Sequence, residues 1–365
     1  MDASQAPDSV NEQELTEKIR AGSKELGDYR DLAFVLASAG RYDDIIPLYE
    51  QALRLPLTDF QRAKVSLELG WILRDLLGQQ AQPQVLAETA ISLLSNEPDD
   101  PEVLFLRGSS HGLLAYCVWR TDENSGVEAA RLAVEYMERV IAERPNLGGI
   151  GEVYCDSARL QNLLGNATKA IVLCEEALQH ELDEADRLSC LIYLAEALRC
   201  AHRLDEAERA IGEAFRHVEA DKGMLPRLYY EKGLIERSTN RSAGACSTFF
   251  QAVAALETHP RLRRDPLLVR EIHWNLGELY YESRQYKEAA EALQQVVLHY
   301  SENEPYRSNA LLMLGHCHLG TGSYVKARNC YEEVLSVPDA PEADRVAARE
   351  GLAALPPPAR QRFRG

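Results

Sequence analysis

The chain has 365 residues, 45% of them hydrophobic and 27% charged, with a formal net charge of −17 at pH 7. That length fits two or three ordinary domains or one elongated repeat array. The acidic balance gives a soluble, self-repelling surface and argues against general affinity for nucleic acid or anionic lipid, both of which need a basic footprint.

The opening stretch MDASQAPDSVNEQELTEK is acidic and polar, where a secretory leader is basic and then apolar. No uninterrupted apolar run approaches the roughly 18 residues of a membrane span. Residues 1–25 are therefore expected to be a polar segment, partly disordered or a leading helix, of a mature cytoplasmic chain. The eight cysteines, Cys117, Cys155, Cys174, Cys190, Cys200, Cys246, Cys317 and Cys330, contain no CxxC pair. They follow helix-like segments, which favours buried, reduced thiols over a disulfide framework or a zinc site.

From about residue 26 a pattern of small residue, turn and large residue sets in and recurs. DLAFVLASAGRYDDIIPLYEQAL supplies Leu32, Ala33, Gly40, Tyr42, Tyr49 and Ala52. A second copy starts near 63 with Gly70 and has a lengthened turn in LLGQQAQPQ before Leu86, Ala90, Leu93 and Pro98. A third starts near 101 with Gly108, and its second helix carries Ala133, Met137, Ile141 and Pro145. Between them YCVWRTDENSGVEAA, an insertion near 117–129 that includes Trp119, is either a surface loop or a helix extended past its usual end.

The fourth copy, near 151, has Ala158 and Ala170, and the fifth, near 188, has Leu194, Ala195, Leu204, Ala207 and Ala214. The sixth, near 226, has Gly233, Ala245, Phe249 and Ala252. THPRLRRDPLLVR then reads as a basic linker with Arg261, Arg263, Arg264 and Arg270, either a solvated connector or an anion site. The seventh copy, NLGELYYESRQYKEAAEAL, places Leu276 and Gly277 before Tyr280, Tyr286 and Ala289. The eighth repeats it 38 residues later with Leu314, Gly315, Gly322, Tyr324, Ala327 and Tyr331. Residues 342–355 read as a capping helix with a polar outer face. Residues 356–365, with Arg360, Arg362 and Arg364, are expected to be a disordered basic tail.

A glycine inside so helical a segment needs a reason, because it costs about 1 kcal/mol of propensity relative to alanine. Two helices cross closely only where a side chain is nearly absent. Gly70, Gly108, Gly233, Gly277 and Gly315, or Ala33, Ala158 and Ala195, are thus expected at the crossing inside each helix pair. Alanines 133, 170, 207, 245, 289 and 327 provide a matching small surface, and Tyr49, Phe249, Leu293 and Tyr331 fill the space beyond.

These residues resemble the tetratricopeptide repeat, whose pattern is W-x2-L-G-x2-Y, then A-x3-F, then P. The resemblance covers most of the chain, although His273 stands at the first aromatic position of the seventh copy, with Trp274 one place later, and the terminal proline is often missing. It implies an all-α, right-handed superhelix of about eight helix-turn-helix repeats over residues 26–341, closed by the C-terminal capping helix. It also implies a concave face lined by first helices, used for peptides, helices or tails. Carrying the frame over places Arg159, Glu196, Arg199, Tyr230, Arg237, Trp274, Glu278, Tyr281, Glu282 and His316 on that face. Tyr230 and Trp274 have packing between repeats as an alternative. The family's two-carboxylate clamp is not reproduced, since Tyr230 and Leu234 stand where its first lysine and asparagine belong and Asn275 survives alone.

Catalytic signatures are lacking: no phosphate loop G-x-x-x-x-G-K-[ST], no H-E-x-x-H and no G-x-S-x-G. His316 and His318 lie about 200° apart around a helix and do not share a metal. No cofactor or metal is expected. The expected function is a non-catalytic scaffold whose partner is a protein or peptide segment with apolar and basic residues, without nucleic acid or membrane binding. A regulatory sensor whose superhelix changes pitch on binding a ligand is the alternative. The Trp119 segment competes with the concave face as the main binding surface.

Overall fold

The computed structural model describes residues 12–38, 41–77, 81–119, 122–219, 221–258, 266–299 and 306–356. The described residues are helical with no strand, and divide into two compact units, Met1–Met224 and Leu225–Gly365. In the first unit α1 (Glu12–Arg20) leads into antiparallel pairs. These are α2 (Leu26–Ser38) with α3 (Tyr42–Ala52), α4 (Asp59–Leu77) with α5 (Ala81–Leu94), and α6 (Pro101–Val118) with α7 (Glu123–Glu143). They continue with α8 (Ile150–Leu163) and α9 (Ala167–Ala177), then α10 (Glu184–Cys200) and α11 (Leu204–His217). The second unit holds α12 (Leu225–Ser238) with α13 (Ser242–Thr258), α14 (Pro266–Glu282) with α15 (Tyr286–Leu298), α16 (Tyr306–Gly320) with α17 (Tyr324–Ser336), and a final α18 (Glu342–Ala354).

Five turns within the pairs share one geometry. Gly165, His202, Asn240, Arg284 and Gly322 each have positive φ. The next amide in each case reaches back across the helix end, as in Asn166 N to Gln161 O at 2.8 Å and Gln285 N to Tyr280 O at 2.8 Å. This bond satisfies a carbonyl that the helix leaves open, and the left-handed residue swings the chain into the next helix. Helix starts are fixed locally as well: the Asp100 carboxylate accepts from Glu102 N and Val103 N, and Asp183 accepts from Asp186 N.

The glycines work by close approach. A methyl group on Gly233, Gly277 or Gly315 would lie 2.6 Å from Phe249 Cε1, 2.7 Å from Leu293 Cγ and 2.5 Å from Tyr331 Cε1, respectively. Phe249, Leu293 and Tyr331 are fully buried, so the large residue of the second helix lies across the bare glycine of the first. Gly70 departs from this scheme. A methyl group there would lie 2.5 Å from Leu113 Cδ2 of α6, in the next pair's first helix, so it serves a contact between repeats.

Three local readings become specific. Of the 117–129 stretch, 117–118 end α6 and 123–129 begin α7, which run to 18 and 21 residues against 14 and 11 for α8 and α9, so the described part follows the extended-helix alternative. Part of the lengthened turn, from Ala81, is already α5. Arg270 is buried inside α14, not in a linker. Gly40, Arg261, Arg263, Arg264, Arg360, Arg362 and Arg364 lie outside the described residues. All eight cysteines are free thiols, six of them buried. No helix among the described residues is long and apolar enough to cross a membrane.

Candidate functional site

In the second unit the first helices α12, α14 and α16 carry seven of the ten expected residues, and one guanidinium organises the polar part. Arg237 Nη1 donates to Asn275 Oδ1 at 2.8 Å and to Glu278 Oε2 at 2.7 Å. Its Nη2 lies 3.4 Å from Glu282 Oε1. Asn275 is 5% exposed, and its amide donates to the Glu271 carbonyl at 2.9 Å, so the network is anchored in the helix backbone. Glu278 is therefore compensated inside the wall, whereas the Glu282 side chain remains 60% exposed.

The aromatic residues of this unit are partly buried and belong in part to the core. Tyr230 tilts against Phe249 with ring centroids 6.0 Å apart. Trp274 and Tyr281 pack on the cluster around Leu293 and Tyr331, and Tyr281 meets Tyr286 edge-on at 5.6 Å. His316 meets Tyr331 edge-on at 5.6 Å, and burial lowers its imidazole pKa below the ordinary value, which favours the neutral form.

The first unit holds Arg159 on α8 and Glu196 and Arg199 on α10, all partly buried. Arg159 joins a cluster that the sequence reading did not include. Its guanidinium carbon lies 4.5 Å from the Trp71 ring centre and 5.1 Å from that of Tyr116. Arg74 approaches the same rings from α4, at 5.7 Å and 4.3 Å. The two rings meet edge-on at 6.0 Å, and Trp71 Nε1 donates to Ser109 Oγ at 3.1 Å. Cations against aromatic faces gain from the ring quadrupole, the more so when partly desolvated. Asp156 Oδ1 lies 3.4 Å from Arg159 Nη2 at the edge of this cluster. Beyond it burial and the carboxylates of Asp183, Glu152 and Asp156 push Asp186 up to about 6.

The repeat frame contained a signal for two of the missed residues. Trp71 follows Gly70 as Arg159 follows Ala158, and Arg74 stands four places after Gly70 as Arg199 does after Ala195. Tyr116 had no such signal, because it lies on the extended last turns of α6.

A model described as tetratrico peptide repeat matches residues 31–125 and 151–267, and a second, tetratricopeptide repeat, matches residues 268–339. The chain belongs to the tetratricopeptide repeat family. Its architecture is accordingly an all-α solenoid of helix-turn-helix repeats. No curated protein sequence matches the chain.

Among solved structures, a chain of the APC/C hetero-tetramer Cut9-Hcn1 superposes with a TM-score of 0.61 at 16% identity, over 93% of this chain and 58% of that one. A signal transduction ATPase with a tetratricopeptide repeat sensor from Pyrococcus horikoshii gives 0.62 at 14% identity, over 92% of this chain and 50% of that one. The Rap protein complexed with competence and sporulation factor gives 0.59 at 14% identity, over 91% and 95%. The chain thus spans only about half the length of the first two. At these identities the likeness is one of fold.

Proposed function

We propose that the protein is a non-catalytic scaffold that binds a partner polypeptide segment on its first-helix faces. The reading is carried by the cluster of Trp71, Arg74, Tyr116 and Arg159, residues remote in sequence that three first helices bring together at a partly exposed surface. Tryptophan, tyrosine and arginine dominate binding hot spots because they combine a large contact area with directional polar groups. Glu196 and Arg199 extend this face on α10. In the second unit Tyr230, Arg237, Trp274, Glu278, Tyr281, Glu282 and His316 provide a second face. The exposed Glu282 carboxylate favours basic residues beside apolar ones in the segment bound there. The free, mostly buried thiols suit a reducing cytoplasm.

Affinity capture from the source organism identifies the partner, and purified variants then test the face. Trp71→Ala and Arg159→Glu are each expected to weaken binding about 30-fold, the equivalent of roughly 2 kcal/mol at a hot spot. Glu219→Gln, remote and exposed, is the control. Undiminished binding by both folded variants refutes the assignment of this face.

A further inference from the structure

A cleft of about 530 Å³ opens in the first unit beside α7. It lies where the third pair outgrows its neighbour, because α7 has 21 residues while α8 and α9 have 14 and 11. Trp119, at the end of α6, forms part of its wall. It lies against Gly126, where a methyl group would come 2.7 Å from Trp119 Cα.

One face of α7 supplies Glu123, Val127, Arg131, Val134, Glu135 and Glu138 to the cleft, and α9 supplies Lys169. The five charged side chains are exposed and make no ion pair among the described residues. Arg139, on another face of the same helix, is held by Asp99 at 2.7 Å. Gln161, 1% exposed, also lines the cleft. Its Oε1 accepts from Asn166 Nδ2 at 2.8 Å, and its NH2 group has no acceptor among the described residues. A buried amide donor suits the one group that every peptide offers, a backbone carbonyl.

The charges follow an order along α7: negative at Glu123, positive at Arg131, negative at Glu135 and Glu138. At 1.5 Å per residue the steps from Glu123 to Arg131 and from Arg131 to Glu138 are about 12 Å and about 10 Å. An extended chain advancing about 3.3 Å per residue covers each step in three to four residues.

We propose that this cleft docks an extended partner segment in which basic, acidic and basic side chains follow at that spacing. The first basic side chain lies on Trp119 and Glu123, the acidic one between Arg131 and Lys169, and the second basic one on Glu135 and Glu138. A backbone carbonyl of the segment accepts from the Gln161 amide. The surface belongs mainly to the second helix of its pair, so it is distinct from the first-helix faces.

The chain contains three tryptophans, Trp71, Trp119 and Trp274, so its indole N–H signals report each surface separately by nuclear magnetic resonance. Trp119→Phe assigns the relevant signal. The probe is a capped heptapeptide with arginine at its first and seventh positions, glutamate at its fourth and small neutral residues elsewhere. The control has the same composition with its three charged residues contiguous. The matched peptide is expected to shift the Trp119 signal saturably. Both the control peptide and the Glu135→Gln/Glu138→Gln double variant are expected to bind about tenfold more weakly or less, since charge order sets specificity. A Trp119 signal that the matched peptide leaves unmoved, an equal response to both peptides, or full affinity in the double variant would overturn the proposal. Movement of the Trp71 signal alone would overturn it while supporting the first-helix reading.

Discussion

Replacing Gly315 with alanine sets two effects of opposite sign against each other. Helix propensity favours alanine by about 1 kcal/mol. Against this, the added methyl would sit 2.5 Å from Tyr331 Cε1 and 2.9 Å from Cδ1. The ring is fully buried and has little room to retreat. Gly351 of α18 also approaches it, and a methyl there would lie 2.6 Å from Cζ, while His316 meets the ring edge-on at 5.6 Å. Overpacking of this kind costs about 1–3 kcal/mol, which less the propensity gain leaves an expected net loss of about 0–2 kcal/mol. Gly277→Ala is the comparison. It faces Leu293 Cγ at 2.7 Å and Cδ2 at 2.8 Å, an aliphatic side chain with rotamers to yield, and its loss should be smaller. Guanidinium denaturation followed by circular dichroism measures both through the shift in midpoint at constant slope. If the ring is the obstacle, the Gly315→Ala penalty shrinks by about 1 kcal/mol in a Tyr331→Leu background, as expected for residues in contact. A stabilised Gly315→Ala, or the same penalty with and without the ring, refutes the reasoning.

Arg237→Ala strands the buried Asn275 Oδ1 and the Glu278 carboxylate, and should lower stability by about 1–3 kcal/mol in the same assay; a shift below about 0.5 kcal/mol would class the network as a solvated surface feature. Arg284 and Gly322 occupy equivalent left-handed turns, so Arg284→Gly should raise the melting temperature and Gly322→Arg lower it, the latter change costing about 1–2 kcal/mol of stability. Shifts of the same sign would show that the turns are not equivalent. Asp186, raised to about 6 by burial and neighbouring carboxylates, binds a proton in the folded state at a pH where the unfolded chain has released it. Its site therefore gains stability as pH falls from about 7 to about 4. Asp186→Asn should be more stable than the parent at pH 7.5 and lose that advantage near pH 4, and a pH-independent difference would refute the linkage. Alkylation of the native protein should label exposed Cys200 first, with all eight thiols reacting after unfolding; rapid labelling of a buried thiol would place a local opening at its helix.

The helix pairs were legible in the sequence because their signals are local. Propensity, the small residue of the first helix and the large residue of the second all act within one pair. Gly277 and Leu293, or Gly315 and Tyr331, are always in register once the turn between them closes. The candidate binding surfaces were legible only in part, because they depend on how one pair packs on the next. The frame marked Arg237 and Glu278 as neighbours on a wall, but only the packing of α12 on α14 makes one the counter-ion of the other. Gly70 carries the same local signature as Gly277, yet it receives Leu113 from the next pair. Tyr116 reaches Arg159 because α6 runs on past the usual turn, which also leaves the Trp119 cleft beside α7. A repeat motif encodes contacts that recur at short separations along the chain; the rotation between neighbouring pairs, which decides their shared contacts, is set by side-chain shapes that differ at every junction.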